Sequence, residues 1–328
     1  MTGSALAVCG LVGAGLSAAL ALVYIRQWSA REPGRTPTGF GVFLAPAMLA
    51  GALLGGASDQ LAAALALVTG ASAIYWLDDA VELSARLRVI LSAVAGGAVA
   101  LVFLIAAGAS VLLFVLLVPL AMFVNVALVN TINFQDGSDL NIAVFVLLTG
   151  ALLLSHAPGD SEWIPVAVAL LAFTLPFAVL NSRPRTIYFG DSGSFAFAML
   201  FTVMGIAFIA GPSAPPPEAA IPAALPVIDM AVVTAHRIRI RQAFTVRHYF
   251  HLYQRLQKDQ PGFVYLAPQL VSAALCLAVA WLLQKLAVDR AVAVALAMML
   301  VSVPVFLAFR RGLVTSEPGP PESHAGGA

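Results

Sequence analysis

Residues 60–88 read Q-L-A-A-A-L-A-L-V-T-G-A-S-A-I-Y-W-L-D-D-A-V-E-L-S-A-R-L-R. No charge interrupts the stretch from Leu61 to Leu77; Asp78, Asp79, Glu82, Arg86 and Arg88 then follow in quick succession. Wound as a helix, such a run comes close to the thickness of a bilayer core, about 30 Å. The acids and arginines that end it mark a membrane–water boundary. Both readings decide the fold, and the rest of the chain repeats them.

The 328 residues are 61% hydrophobic and 10% charged, with mean hydropathy +0.94. A soluble domain carries about 25% charged residues. Eleven apolar segments are expected, over 4–25, 39–57, 60–77, 88–108, 109–130, 140–156, 163–181, 192–210, 216–235, 264–286 and 288–309. Helices are the spanning element, because backbone groups in lipid must bond within their own segment. The class is therefore an all-α polytopic membrane protein, with residues 1–315 as one integral membrane domain. The tail 316–328, rich in Pro, Gly and Ala, reads as disordered. The first segment has its arginines after the apolar stretch, unlike a signal peptide, and reads as a signal-anchor helix.

Charge sets the expected orientation. Loops after odd-numbered segments hold every basic residue except Lys285 and Arg290: Arg26, Arg31, Arg35, Arg86, Arg88, Arg183, Arg185, Arg237, Arg239, Arg241, Arg247, Arg255, Lys258, Arg310 and Arg311. The positive-inside rule makes those loops cytoplasmic, with the N-terminus outside and the C-terminus inside. The net charge of +1 argues against a nucleic-acid partner. Cys9 and Cys276 lack metal-ligand spacing and read as packing residues.

Acids at apolar segments on the basic side carry the functional signal, since ionised carboxylates at membrane depth are costly. Asp78 and Asp79 end the third segment, where negative charge opposes the helix dipole and a bound Mg²⁺ would compensate it; the plainer alternative is interfacial capping. N-T-I-N-F-Q-D-G-S-D (130–139) places Asn130, Asn133 and Asp136 on one polar stripe if the helix continues, with Asp139 beyond the turn at Gly137. Y-F-G-D-S-G-S (188–194) flanks Asp191 with glycines before a helix expected to start near Ser192. There Asp191 is either an N-cap or a hard-cation ligand, with small residues letting a phosphate approach. Asp229, in P-V-I-D (226–229), lies inside the ninth segment and is either functional or paired with an arginine.

The long basic loop contributes Arg247, His248, His251 and Arg255. Read as a helix from 247, these share one arc, with Tyr249, Phe250, Tyr253 and Leu256 opposite. Such a face suits a diphosphate clamp or anionic headgroups. Carboxylates with hard oxygen donors suit Mg²⁺, and basic residues around it suggest phosphoryl transfer beside a lipid substrate.

The ordered motifs resemble the polyprenyl-phosphate N-acetylhexosamine-1-phosphate transferase superfamily, of glycosyltransferase family 4 type. P-T-G-F-G (37–41) is similar to its first cytoplasmic loop, and L-D-D-A-V-E-L-S-A-R-L-R to its aspartate-pair motif ending here on Arg88. N-T-I-N-F-Q-D-G is similar to N-x-x-N-x-x-D-G, F-G-D-S-G-S to G-D-x-G-S, and Asp229 to a late-helix aspartate. The resemblance implies transfer of a sugar-1-phosphate from a UDP-N-acetylhexosamine to undecaprenyl phosphate at the cytoplasmic face of a bacterial inner membrane, releasing UMP. It implies Mg²⁺, with Mn²⁺ as substitute; a homodimer is one assembly open to such a chain, though the helix faces carry no dimerisation signal. Asp78, Asp79 and Asp191 would be catalytic, with Asp191 and Asp79 on the metal. Asn130, Asn133, Asp136 and Asp139 would line the nucleotide region. Arg88, Asp229, Arg247, His248, His251 and Arg255 would hold phosphates or sugar.

Two departures stand out. The family's His-x-His-His is here His251-Leu252-Tyr253-Gln254, which resembles the branch initiating O-antigen and related surface polysaccharides. A second glycine usual after the later aspartate is absent, since Leu140 and Asn141 follow Asp139. A non-catalytic relative that binds nucleotide or lipid, and a cation- or proton-coupled transporter, are the competing readings. Transporters place such acids near the midplane of repeated halves; no internal repeat is visible here.

Overall fold

The computed structural model describes residues 3–81, 83–183, 186–242, 248–260 and 262–311, excluding the side chains at 3–4 and 78–81. The Asp78 and Asp79 side chains, Arg247 and the tail 316–328 therefore lie outside the described residues. Two compact units, 1–216 and 217–328, make up the chain.

The first unit holds eight helices: α1 (Gly3–Arg31), α2 (Leu44–Leu54), α3 (Asp59–Val81), α4 (Ala85–Ala106), α5 (Val111–Asn133), α6 (Asn141–His156), α7 (Trp163–Asn181) and α8 (Gly190–Ala210). The second holds α9 (Ala224–Arg239), α10 (Leu252–Asp259), α11 (Ala267–Lys285) and α12 (Arg290–Arg310). Among the described residues, nine helical stretches are long and apolar enough to cross a membrane; Phe40–Leu54 and Asn141–His156 are apolar but shorter. Of the eleven apolar segments expected, nine coincide with helical stretches of spanning length among the described residues and two with shorter ones. Physical causes of the shortening are visible. Gly39 in the left-handed region starts a 3-10 turn, Phe40–Phe43, before α2, and Gly56 at φ 73° follows the end of α2. Leu140, also left-handed, precedes α6. The expected break near Gly108 is present between α4 and α5.

The interior is apolar, as in a water-soluble bundle, but much of the surface is apolar too. Leu11, Val111 and Phe123 are more than 70% exposed, a pattern suited to lipid and not to water. Helix α8 is the centre of the first unit: most of its residues are buried, whereas α1 and α5 are largely exposed. A helix apolar on every side belongs in such a position. Small residues let it sit close: a Cβ on Gly193 would lie 2.6 Å from Gly41 Cα. Cys276 is buried as expected, whereas Cys9 is exposed on α1.

In the second unit, Arg290 grips the buried Glu218 with two bonds, Nε to Oε1 and Nη2 to Oε2, each 2.8 Å. Arg290, one of the two basic residues outside the main set, thereby ties the start of α12 to the 3-10 turn Pro217–Ala223.

Candidate functional site

Within the first unit, segments far apart in sequence meet at the start of α8. Tyr188 N–H donates to Pro37 C=O at 2.8 Å, and Gly41 N–H donates to Phe189 C=O at 2.8 Å. These two bonds stitch 37–41 against 188–189, and the Tyr24 hydroxyl holds Thr38 C=O from α1. Gly190 adopts φ 81° with its α-carbon against Gly39, a place with no room for a Cβ. Its N–H donates to Asp136 Oδ2 at 2.8 Å. One residue on, Asp191 Oδ2 accepts from Arg88 Nη1 at 3.2 Å. Arg88 Nε donates to Leu83 C=O at 3.2 Å, which steadies the guanidinium.

Helix α8 begins at Gly190, two residues earlier than expected, because the left-handed glycine turns the chain there. Asp191 is consequently in the first turn and not the N-cap, which is Phe189. The side chains of Arg88 and Asp191 are 40% and 33% exposed. Such an ion pair adds little to stability, and the pair is open to a ligand.

The polar stripe expected over 130–136 does not form as drawn. Helix α5 ends at Asn133, and Asp136 lies in the turn that follows. Asn130 donates to Val126 C=O in its own helix at 2.7 Å. Asn133 and Asp139, both half-buried, flank Asp136 in the chain. Leu140 stands where the family glycine was missed, and it takes the glycine-like conformation at φ 63°. Its N–H donates to Asn181 Oδ1 at 2.6 Å, which holds the turn despite a cost of about 1–2 kcal/mol. Asn141 closes the same turn through Gln135, at 2.9 Å to its C=O.

Asn181, at the end of α7, escaped the sequence reading. It accepts from Leu140 N–H, and its amide donates to Ile187 C=O at 2.8 Å, so it fixes both site loops. A polar residue closing an apolar segment was the available signal.

The second unit carries a buried cluster of its own. Asp229 accepts from Leu252 N–H at 3.0 Å through Oδ1, and pairs with His251 Nδ1 at 2.8 Å through Oδ2. Its side-chain partner is thus a histidine; the arginine pairing weighed for it is not what these bonds show. The helix expected from 247 starts only at Leu252, with His251 as its N-cap. A carboxylate from α9 at that N-terminus explains the late start. His248, His251 and Arg255 are buried together with Phe250, Tyr253 and Leu256, so no cationic face opposes an apolar one. Arg255 donates to Phe250 C=O at 3.2 Å and lies over its ring. Burial, with His251 and Arg237 nearby, pushes the His248 imidazole down to about 4. Gln254 bonds back to His251 N–H at 3.2 Å, completing a capping box, and Tyr253 stacks on the His251 ring. Both departures from His-x-His-His therefore have local structural roles.

The carboxylates of Asp191 and Asp136 offer oxygens of the kind a hard cation takes, while Arg88 and the helix N-terminus suit phosphate. Among the described residues no three His, Cys, Asp or Glu gather as a ready-made cage. Mg²⁺ needs none, since it keeps one or two carboxylates and leaves the remaining positions to water and substrate phosphates.

Comparison with known proteins bears on this unit. Residues 61–209 match glycosyl transferase family 4, a range that includes Asp79, Arg88, Asp136 and Asp191. A phospho-N-acetylmuramoyl-pentapeptide-transferase of Thermosynechococcus vestitus is 32% identical over 200 residues, 52% of this chain and 52% of that protein. The enzyme of the same name from Clostridioides difficile is 34% identical over 82 residues, 24% and 26% of the two chains. That from Chloroherpeton thalassium is 29% identical over 106 residues, 27% and 29%. The chain spans about half or less of the length of these curated relatives. The matches support the superfamily that the motifs resemble.

Proposed function

We propose that the chain transfers a sugar-1-phosphate from a UDP-N-acetylhexosamine to undecaprenyl phosphate at the cytoplasmic face of a bacterial inner membrane. The observation that carries this reading is the convergence at the α8 N-terminus of Asp136 on the Gly190 amide and Asp191 on Arg88. The acceptor's phosphate oxygen attacks the phosphorus that bears the sugar, the P–O–P bond breaks, and UMP leaves. A phosphate monoester with a second pKa near 6 is already mostly ionised at neutral pH, so positioning suffices without a strong base.

Mg²⁺, or Mn²⁺ in its place, would neutralise the diphosphate charge, held by Asp191 and Asp79. Asp78 belongs to the same end of α3, and Arg88 orients Asp191 and meets phosphate oxygens. Asn130, Asn133, Asp136 and Asp139 belong to the nucleotide region. Asp229 orders His251 and the start of α10, while Arg247, His248 and Arg255 serve phosphate or sugar. The product is a lipid-linked sugar diphosphate that starts a cell-surface glycan. The surface-polysaccharide branch rests on His251-Leu252-Tyr253-Gln254 alone.

The test is UMP release by purified protein with undecaprenyl phosphate, Mg²⁺ and a panel of UDP-sugars, run beside Asp191→Asn. Turnover with one donor, absent without lipid or after chelation, supports the reading. Silence with every donor, from folded protein that still binds nucleotide, points to the non-catalytic relative.

A further inference from the structure

A chain of buried polar side chains runs through the first unit behind the Arg88–Asp191 pair. It begins at Tyr75, 3% exposed, one turn before Asp78 and Asp79 in α3. The Tyr75 hydroxyl lies 2.7 Å from Arg88 C=O and 2.6 Å from Ser92 Oγ, and Ser92 Oγ is itself 2.9 Å from Arg88 C=O. Two hydroxyl protons thus serve one carbonyl and each other, with no arrangement that strands a donor. Asn125 of α5 donates to Ser92 C=O at 2.7 Å, and Thr202 of α8 donates to Asn125 Oδ1 at 2.8 Å. The Tyr75 ring stacks on Phe195, 4.0 Å between centroids, one turn after Asp191 in α8.

One side chain therefore touches the start of α4 and the start of α8 from the end of α3. Those are the three helix ends that carry the paired aspartates, Arg88 and Asp191. Apolar packing alone would let α3 and α4 slide, because lipid tails provide no hydrophobic penalty for separation. A hydroxyl on a single backbone carbonyl does not permit that, since a buried polar group is costly when unbonded.

We propose that Tyr75 is a positioning residue: through Arg88 C=O it sets the distance between the aspartate pair of α3 and the Arg88–Asp191 pair. The proposal rests on the transferase reading above. It concerns a residue that meets no substrate in that reading and acts only through Arg88.

The test is a double-mutant cycle on UMP release with Tyr75→Phe, Arg88→Ala and both together, with melting temperature and the Mg²⁺ concentration for half-maximal rate as further readouts. Phenylalanine keeps the stacking on Phe195 and removes only the hydroxyl. Tyr75→Phe is expected to lower kcat/KM about tenfold and raise the Mg²⁺ requirement, with melting little changed. In the Arg88→Ala background the same change is expected to cost nothing more. Ser92→Ala, which leaves the Tyr75 bond to Arg88 C=O in place, is expected to lose less than about twofold. Equal losses from Tyr75→Phe in both backgrounds, or equal losses from Tyr75→Phe and Ser92→Ala, would overturn positioning and leave the transferase standing. A silent wild type would instead overturn the transferase reading, and this inference with it.

Discussion

Arg88 and Asp191, 103 positions apart, meet at 3.2 Å where α4 begins beside the first turn of α8. Both side chains remain partly open to solvent. An open ion pair beneath a helix N-terminus is a place where phosphate can compete for the arginine and a cation for the carboxylate.

Under the transferase proposal, Asp191→Asn is expected to lower UMP release by at least about a hundredfold, since the carboxylate charge offered to a cation is lost. Its melting temperature should hardly move, because an exposed pair contributes only about 0–1 kcal/mol. A large loss of stability with retained turnover would refute the assignment.

Gly190→Ala is expected to fail structurally. The φ of 81° costs a Cβ residue about 1–2 kcal/mol, and the Cβ would strike Gly39. Lower yield of folded protein and a lower melting temperature are the measurements. Asp136→Asn should be milder, because its amide oxygen still accepts the Gly190 N–H.

His248 carries a pH signature. Its pKa of about 4 in the fold lies below the ordinary 6.5, so between those values the unfolded chain binds the extra proton. The stability from keeping it neutral is complete above pH 6.5 and is lost as pH falls towards 4. Melting curves over that window should flatten in His248→Asn; an unchanged slope would show that the imidazole is not buried neutral.

Asp229→Ala removes the acceptor for both Leu252 N–H and His251, each buried. A loss of about 1–3 kcal/mol is expected, seen as a lower melting temperature in detergent. Asp229→Asn should recover part of it by accepting the Leu252 amide.

The helices themselves were legible in the sequence because hydrophobic run length and backbone bonding in lipid are local properties. The residues around Asp191 and Asp136 were legible for a related reason: charge beside glycine at the end of an apolar run marks where a helix meets water. The start of α10 was not. The pattern from Arg247 onward fitted a helix, but a carboxylate 22 residues away caps it at His251.

By itself, then, the sequence determined an all-helical chain of apolar spans with its acids and bases at helix ends. Only the tertiary structure decided that Asp136 would hold the Gly190 amide, that Arg88 would face Asp191, and that Tyr75 would stand behind both. Run length and periodicity act over a few residues. These contacts span 54, 103 and 13 positions, and they exist because α8 is packed at the centre of its unit with small residues where its neighbours approach.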